Sequence, residues 1–442
     1  MAHILAPTTK PQVSGYKFLV RRAEHALIFA DARMIHDPLA RLRRSLVLGL
    51  IACALFALGA GAMAMFKPRA DPGDAPIVRA ESGGLYVRVG ETYHPVLNLT
   101  SARLIAGSPV DPVRGADEVL AHAQFGPPVG IPGAPGMLAT GDPGSESTWS
   151  ACTSGPGETH VTEGLADPPV TAPGEFFLAR VGGDEYLVSV AGRRKLPPAE
   201  SAVGATVRRH LGIPQAAGAW EPPAEVLDIL PELPSIEGVR ALSSAQVLRA
   251  DDGLWLDRGS GLTPLTELQS EILRELGVGM QEVSPEELRG QALAEEDVPL
   301  PAEKGMFVPV SPADTVCVTQ HATGLASDRA WGLFPTAGPA GVSLDPPAVG
   351  VFPAERSLPP GIGIAGTSVA TRFSATRPGG MAVTVGDGAV IVGETGTYFP
   401  VPAASAPALG VERATPAPWP VVALLPRGAE LSVEQASASL LP

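Results

Sequence analysis

The chain has 442 residues, 45% of them hydrophobic and 5% aromatic, with 50 glycines and 47 prolines. This excludes a chain that is disordered throughout and calls for a core of Val, Leu, Ile and Ala cut into short elements by many turns. The net charge of −14 is unevenly placed, +5 over residues 1–45 and −19 over the rest. An acidic bulk of that size argues against nucleic acid, and against anionic wall polymers or lipid headgroups as its main partners.

Residues 1–11 carry turn and breaker residues and predict a loose start. In residues 12–44, Ser14 is placed to cap a helix beginning near Gly15. Leu19, Ala23, Ala26, Leu27, Ala30 and Met34 recur at helical spacing and make one apolar stripe, with Arg21, Arg22 and Glu24 off it. Pro38 is expected to end or kink that helix. Such a helix can dock on a partner protein or lie on a membrane surface. The alternative is a short basic flank that serves only to orient the next segment.

That next segment, Leu46 to Phe66, is 21 residues without a charge, Asn, Gln or Pro. About 20 apolar helical residues cross the hydrocarbon core of a bilayer. Arg41, Arg43 and Arg44 precede it, so the N-terminus is expected inside and the long C-terminal part outside. A cleaved signal is the alternative, since Ala62-Met63-Ala64 has a small-x-small pattern. The leading segment and the apolar run are both longer than a signal sequence needs. Gly49, Gly59 and Gly61 permit close helix approach but are also common filler.

After a Pro/Gly/Asp linker (67–82) an internal repeat appears. Four segments share a short strand, a turn, a second strand ending in Pro, and a helix: 83–109, 185–216, 252–278 and 387–411. An apolar residue stands nine before the proline in each: Tyr86 before Pro95, Val188 before Pro197, Trp255 before Pro264, Ile391 before Pro400. Gly90, Gly192, Gly259 and Gly393 mark the turns. Residues 110–184 and 279–386 read as two parts of a central module, 217–251 as a connector and 412–442 as a tail. A larger duplication overlies the repeats. Trp220 is matched with Trp419, Leu230-Pro231 with Leu425-Pro426, and TWSACTS (148–154) with DTVCVTQ (314–320). The offsets imply an insertion of about 35 residues in the second half, within 321–380. The fold class read from this is α+β: one N-terminal transmembrane helix, then four β-hairpin–helix repeats around a duplicated central module with pseudo-twofold symmetry.

Cys53 falls in the span. Cys152 and Cys317 both fall outside, where disulfides persist, and leave a single possible pairing. Two free buried thiols are the alternative. A bond between equivalent residues of two halves would lie near the pseudo-twofold axis and pin the two spacers together.

Residues suited to chemistry are sparse. No G-x-x-x-x-G-K-[ST] loop is present, nor any Gly-Lys pair. GIGIAG (361–366) matches G-x-G-x-x-G without a strand-to-helix context. His94, His122, His160, His210 and His321 show no metal spacing, and no Gly-x-Ser-x-Gly elbow occurs. Cys317 with His321 nearby could be read as a nucleophile, but its twin at Cys152 favours a disulfide. Asn98-Leu99-Thr100 is a formal glycosylation sequon. No catalytic, cofactor or metal residues are assigned, and no cofactor is expected.

QVSGYKFLVRRAEHALIFADARMIHDPLAR, the single span, the four repeats and the two outer cysteines resemble the EccB family, membrane-core subunits of type VII (ESX) secretion systems. The resemblance covers nearly the whole chain. It implies a hexameric complex in the inner membrane with EccC, EccD and EccE and further copies of the chain, single-pass, with a periplasmic C-terminal domain and lipid around the span. It also implies partner contacts on the cytoplasmic helix through Tyr16, Phe18, Leu19, Arg21, Arg22, His25, Leu27 and Met34. The family is often labelled an ATPase, which no residues here explain. A nucleotide hydrolase and an anchored wall-binding or sensor protein are the alternative functions.

Overall fold

The computed structural model describes residues 9–30, 32–33, 38–65, 71–139, 146–155, 157–251, 253–294, 296–324, 342–352, 356–386, 388–411 and 414–440. Met34, Phe66 and much of the expected insertion lie outside them. The chain divides into two units, Met1–Ala70 and Asp71–Pro442.

In the first unit helix α1 runs Lys10–Phe29. It starts earlier than the expected Ser14 cap because Thr9 supplies the start: its N–H donates to Gln12 Oε1 at 2.9 Å. Pro11 falls in the first turn, where its missing N–H would have had no partner. The helix ends at Ala30 in the left-handed region (φ 55°), so Ala30 leaves the apolar stripe. Pro38 therefore neither ends nor kinks α1. It opens the next helix, α2, Pro38–Met65. The apolar stretch Arg41–Met63 within it has 23 residues, about 34 Å at the helical rise, long enough to cross a membrane. Leu46 is exposed within it, as are its other side chains.

The second unit is built on four meanders of three antiparallel strands. The first is Ile77–Ala80, Leu85–Val89 and Thr92–Pro95, followed by helix Leu99–Ala106. The second is Glu175–Val181, Asp184–Ser189 and Gly192–Leu196, followed by helix Ala202–Leu211. The third is Gln246–Ala250, Gly253–Asp257 and Leu262–Leu265, followed by helix Glu267–Glu275. The fourth is Gly380–Val385, Gly388–Val392 and Tyr398–Val401, followed by a short helix, Ala406–Leu409.

Each meander thus has a leading strand that a hairpin–helix reading omits. The first lies in the stretch read as linker, where Ile77 and Val78 are fully buried. The third lies in the stretch read as connector. Nor does the shared nine-residue spacing mean one register. Tyr86 faces Pro95 and Trp255 faces Pro264. In the second meander Val188 faces Arg193 across a two-residue loop, and Pro197 lies beyond the strand. In the fourth, Pro400 faces Val390 rather than Ile391. Loop length sets register, and the loops differ.

Between the meanders, strand Glu146–Ser154 pairs antiparallel with strand Thr315–Gly324, and Cys152 stands opposite Cys317. The two form a disulfide with a Cα–Cα distance of 4.0 Å. On the same face Ser150 Oγ meets Thr319 Oγ1 at 2.7 Å, and Thr148 Oγ1 meets His321 Nδ1 at 2.8 Å. Two short strands join meanders distant from them in sequence. Leu138–Ala139 adds to the fourth meander, and Met306–Phe307 to the second.

Burial follows the same pairing. The second and third meanders share a core that includes Leu178, Val207, Leu211, Leu256 and Leu273. The fourth and first share another, with Leu104, Ile391, Phe399, Leu409 and Leu431. Trp149, Val161, Phe177, Trp220, Val318 and Val383 fill the centre.

The matched tryptophans are not equivalent positions. Pro223 begins helix Ala224–Leu227 and Pro418 begins helix Trp419–Val422. Pro231 accepts from Arg193 N–H as Pro426 does from Tyr398 N–H. Aligned this way, Trp220 corresponds to Thr415. Trp220 is buried, edge-on to Phe177, whereas Trp419 is 42% exposed against Tyr398.

Candidate assembly surfaces

On α1 the residues Tyr16, Leu19, Val20, Ala23 and Leu27 fall on one side by their helical spacing. Tyr16, Leu19 and Leu27 are 70%, 62% and 86% exposed. An apolar stripe this open costs solvation free energy at about 25 cal/mol per Å² unless something covers it. The other singled-out residues differ in role. His25 is buried, its ring 5.1 Å from that of Phe29. Arg22 Nε donates to Ala32 O at 3.0 Å and closes the helix end. Phe18 is half exposed, and Arg21 is exposed. Arg43 Nη2 meets Glu24 Oε2 at 3.1 Å, an exposed pair of small energetic weight.

In the second unit several charged side chains are spent on the fold. Glu185 lies between Arg180, at 2.9 Å, and Arg208, at 2.5 Å. Arg208 also donates to the carbonyls of Pro197 and Gly204, tying the second meander to its helix. Burial pulls the Glu185 carboxyl upward, but the hydrogen bonds from the two arginines outweigh it and hold the group below its ordinary range. His210 Nε2 reaches Glu275 Oε2 at 2.8 Å and joins the helices of the second and third meanders. His160 accepts or donates to Ser374 Oγ at 3.0 Å. Its burial, and then Arg372, push its pKa below the usual value.

Among the described residues the remaining motifs are not brought together. Ile362–Gly363 is a two-residue strand against Arg372 and Phe373, and no helix follows among residues 364–371. GIGIAG therefore lacks the turn into a helix that would hold a phosphate. His94 Nδ1 binds Pro127 O. Asn98 is buried, caps helix Leu99–Ala106 by accepting from Ser101 N–H, and donates to Ile131 O. The sequon is thereby closed. Among the described residues no group of three or more His, Cys, Asp or Glu could hold a metal. Exposed apolar side chains are more prominent: Phe125, Leu293, Met306 and Trp419 are 48%, 68%, 58% and 42% exposed.

A family model described as type VII secretion system ESX-1, transport TM domain B, the EccB family, matches residues 5–440. The chain belongs to this family. Among curated proteins, this EccB-family chain is 32% identical over 239 residues to the ESX-1 secretion system ATPase EccB1 of Mycobacterium tuberculosis, covering 51% of the chain and 49% of the relative. It is 30% identical over 302 residues to the ESX-3 secretion system ATPase EccB3 of the same species, covering 63% and 55%. The chain spans about half the length of the curated relatives it matches. Among solved structures, a chain of an intact ESX-5 inner membrane complex is similar at TM-score 0.67 and 25% identity, covering 100% of this EccB-family chain and 98% of that one. A chain of the EccB3 dimer from the ESX-3 core complex is similar in fold at TM-score 0.62 and 22% identity, covering 82% and 100%.

Proposed function

We propose that the chain is a structural subunit of a type VII secretion complex in the inner membrane. Helix α2 anchors it once, with α1 in the cytoplasm and the second unit in the periplasm. The observation that carries this reading is the family match over residues 5–440, together with a fold similar over its whole length to a chain of an intact ESX-5 inner membrane complex. The basic flank ahead of Leu46 supports the orientation. The exposed Tyr16–Leu27 stripe supports α1 as the contact for EccC, EccD and EccE, and the fold likeness to one chain of a structure described as an EccB3 dimer supports pairing with a second copy.

Within the outer unit we read a duplication about a pseudo-twofold axis through Cys152–Cys317. Its supports are the antiparallel cysteine strands, the reciprocal strands Leu138–Ala139 and Met306–Phe307, and the two shared cores. The axis makes the outer unit a rigid spacer of two like ends. The relatives' names include the word ATPase, but the residues of this chain favour no hydrolytic step.

The test is co-purification of the full chain from its own membranes in mild detergent. It is expected to recover other membrane proteins in a particle much larger than one chain, without ATP turnover attributable to the chain alone. Leu19→Asp with Leu27→Asp is expected to reduce partner recovery several-fold while leaving membrane insertion intact. A lone monomer, or turnover abolished by a point substitution in this chain, would overturn the reading.

A further inference from the structure

A small cavity of about 10 Å³ lies where the central strands meet the fourth meander. Its lining includes Ser147, Trp149 and Glu163 from the central strands, Ala139 from the crossing strand, and Arg377 and Thr415 from the fourth meander's surroundings. Trp149 and Glu163 are directly opposed across two antiparallel strands, so their side chains leave the sheet on the same face. Trp149 is fully buried, and its indole Nε1 has no hydrogen-bond partner in the protein.

An indole N–H buried without an acceptor costs about 1–3 kcal/mol. The neighbouring polar groups are partly committed, and Glu163 keeps its Oε1 available as an acceptor. Glu163 Oε2 takes the N–H and the hydroxyl of Thr376, at 3.1 and 2.6 Å. The Ser147 hydroxyl donates to the carbonyl of Pro416. Arg377 Nη1 donates to Thr415 Oγ1 at 3.3 Å. Beside the apolar Met381, Ala382 and Val383, the lining thus mixes donor-bearing residues, Trp149 and Arg377, with acceptors, the carboxylate and the hydroxyls. A cation would face the guanidinium and the indole N–H, and an anion would face the carboxylate. A neutral dipole that accepts from one side and donates to the other suits both, and a cavity of this size holds about one water.

We propose that this cavity is a binding site for a single ordered water. The water accepts from Trp149 N–H and donates to the Glu163 carboxylate. It thereby joins the central strands to the fourth meander where strand Leu138–Ala139 crosses from the first half. The Thr376–Arg377 turn, bound to the same carboxylate, is held by it as well.

The full chain holds five tryptophans, which makes indole N–H signals separable. With nitrogen-15 tryptophan in lipid nanodiscs, the Trp149 indole proton is expected to show a through-space cross-peak to water of long residence. Trp149→Phe assigns the signal by its loss. If that variant does not fold, substituting the other four tryptophans in turn assigns it by elimination. Trp220, buried and unpaired but not lining this cavity, is the internal control. No cross-peak at Trp149, or a high-resolution map with the indole bonded directly to Glu163, would overturn the proposal.

Discussion

Replacing Cys152 with alanine is expected to lower the melting temperature of the second unit by about 5–6 °C. The bond joins residues 165 apart in sequence, and releasing a loop of that length returns about 4–5 kcal/mol of chain entropy to the unfolded state. Spread over the melting entropy of some 370 residues, that becomes the stated shift. The ladder between the two cysteine strands remains, so secondary structure is retained. Cys53 lies on the other unit and is exposed, so it offers no replacement partner within the second unit. Circular dichroism melts of wild type, C152A and the doubly substituted C152A/C317A check this, with equal shifts expected for both variants. Insertion of α2 into membranes is expected to be unchanged. An unaltered melt would mean that the strand ladder alone holds the centre.

The second large effect is at Glu185. Glu185→Gln keeps the volume but removes the charge between Arg180 and Arg208, and leaves the mostly buried Arg208 guanidinium without its counter-ion. Breaking one side of such a pair costs about 2–4 kcal/mol at this partial exposure. The sign of the pH dependence follows from the lowered carboxyl pKa. The stabilisation is present above the ordinary carboxylate pKa and is lost as pH falls through the depressed folded value. The gap in melting temperature between wild type and E185Q is therefore widest near neutrality and closes in acid. The lowered pKa of His160 reduces the stability of wild type and E185Q alike in acid, because the unfolded chain takes up that proton more readily than the folded one. A gap that stays constant to low pH would show that Glu185 carries no net charge effect.

The long-range arrangement was legible where the residues announce it individually. The apolar run at Leu46 can satisfy its backbone only as a helix, and two cysteines outside it leave one bond to make. The meanders were legible in part. Turn glycines and the prolines mark the later strands of each, but the leading strands were hidden because IVRA and QVLRA are too short to show a period against neighbouring loops. Register was not legible, since it depends on loop closure rather than on the spacing of like residues. Trp220 and Trp419 show the same limit. Two rare residues in similar strings invite alignment, yet superposing the prolines that start the two helices leaves the tryptophans four residues apart. The crossing strands Leu138–Ala139 and Met306–Phe307 are two residues each, and only the sheets they join reveal them.

On α1, helical spacing placed Leu19 and Leu27 on one apolar stripe, and both are exposed. The set implied by the family resemblance also held His25, which is buried, and Arg22, which closes the helix end. Those assignments depend on Ala30 taking a left-handed conformation, and the alanine side chain carries no signal for that.

The proposed single crossing by α2 is tested most directly by labelling in intact cells. In a full-length chain with Cys53 replaced, a cysteine at Glu91, in the second unit, is expected to react with a membrane-impermeant maleimide. A cysteine at Ser14, on α1, is expected to react only after the membrane is opened. Equal reactivity of both positions in intact cells, or protection of both, would contradict a helix that separates the two units.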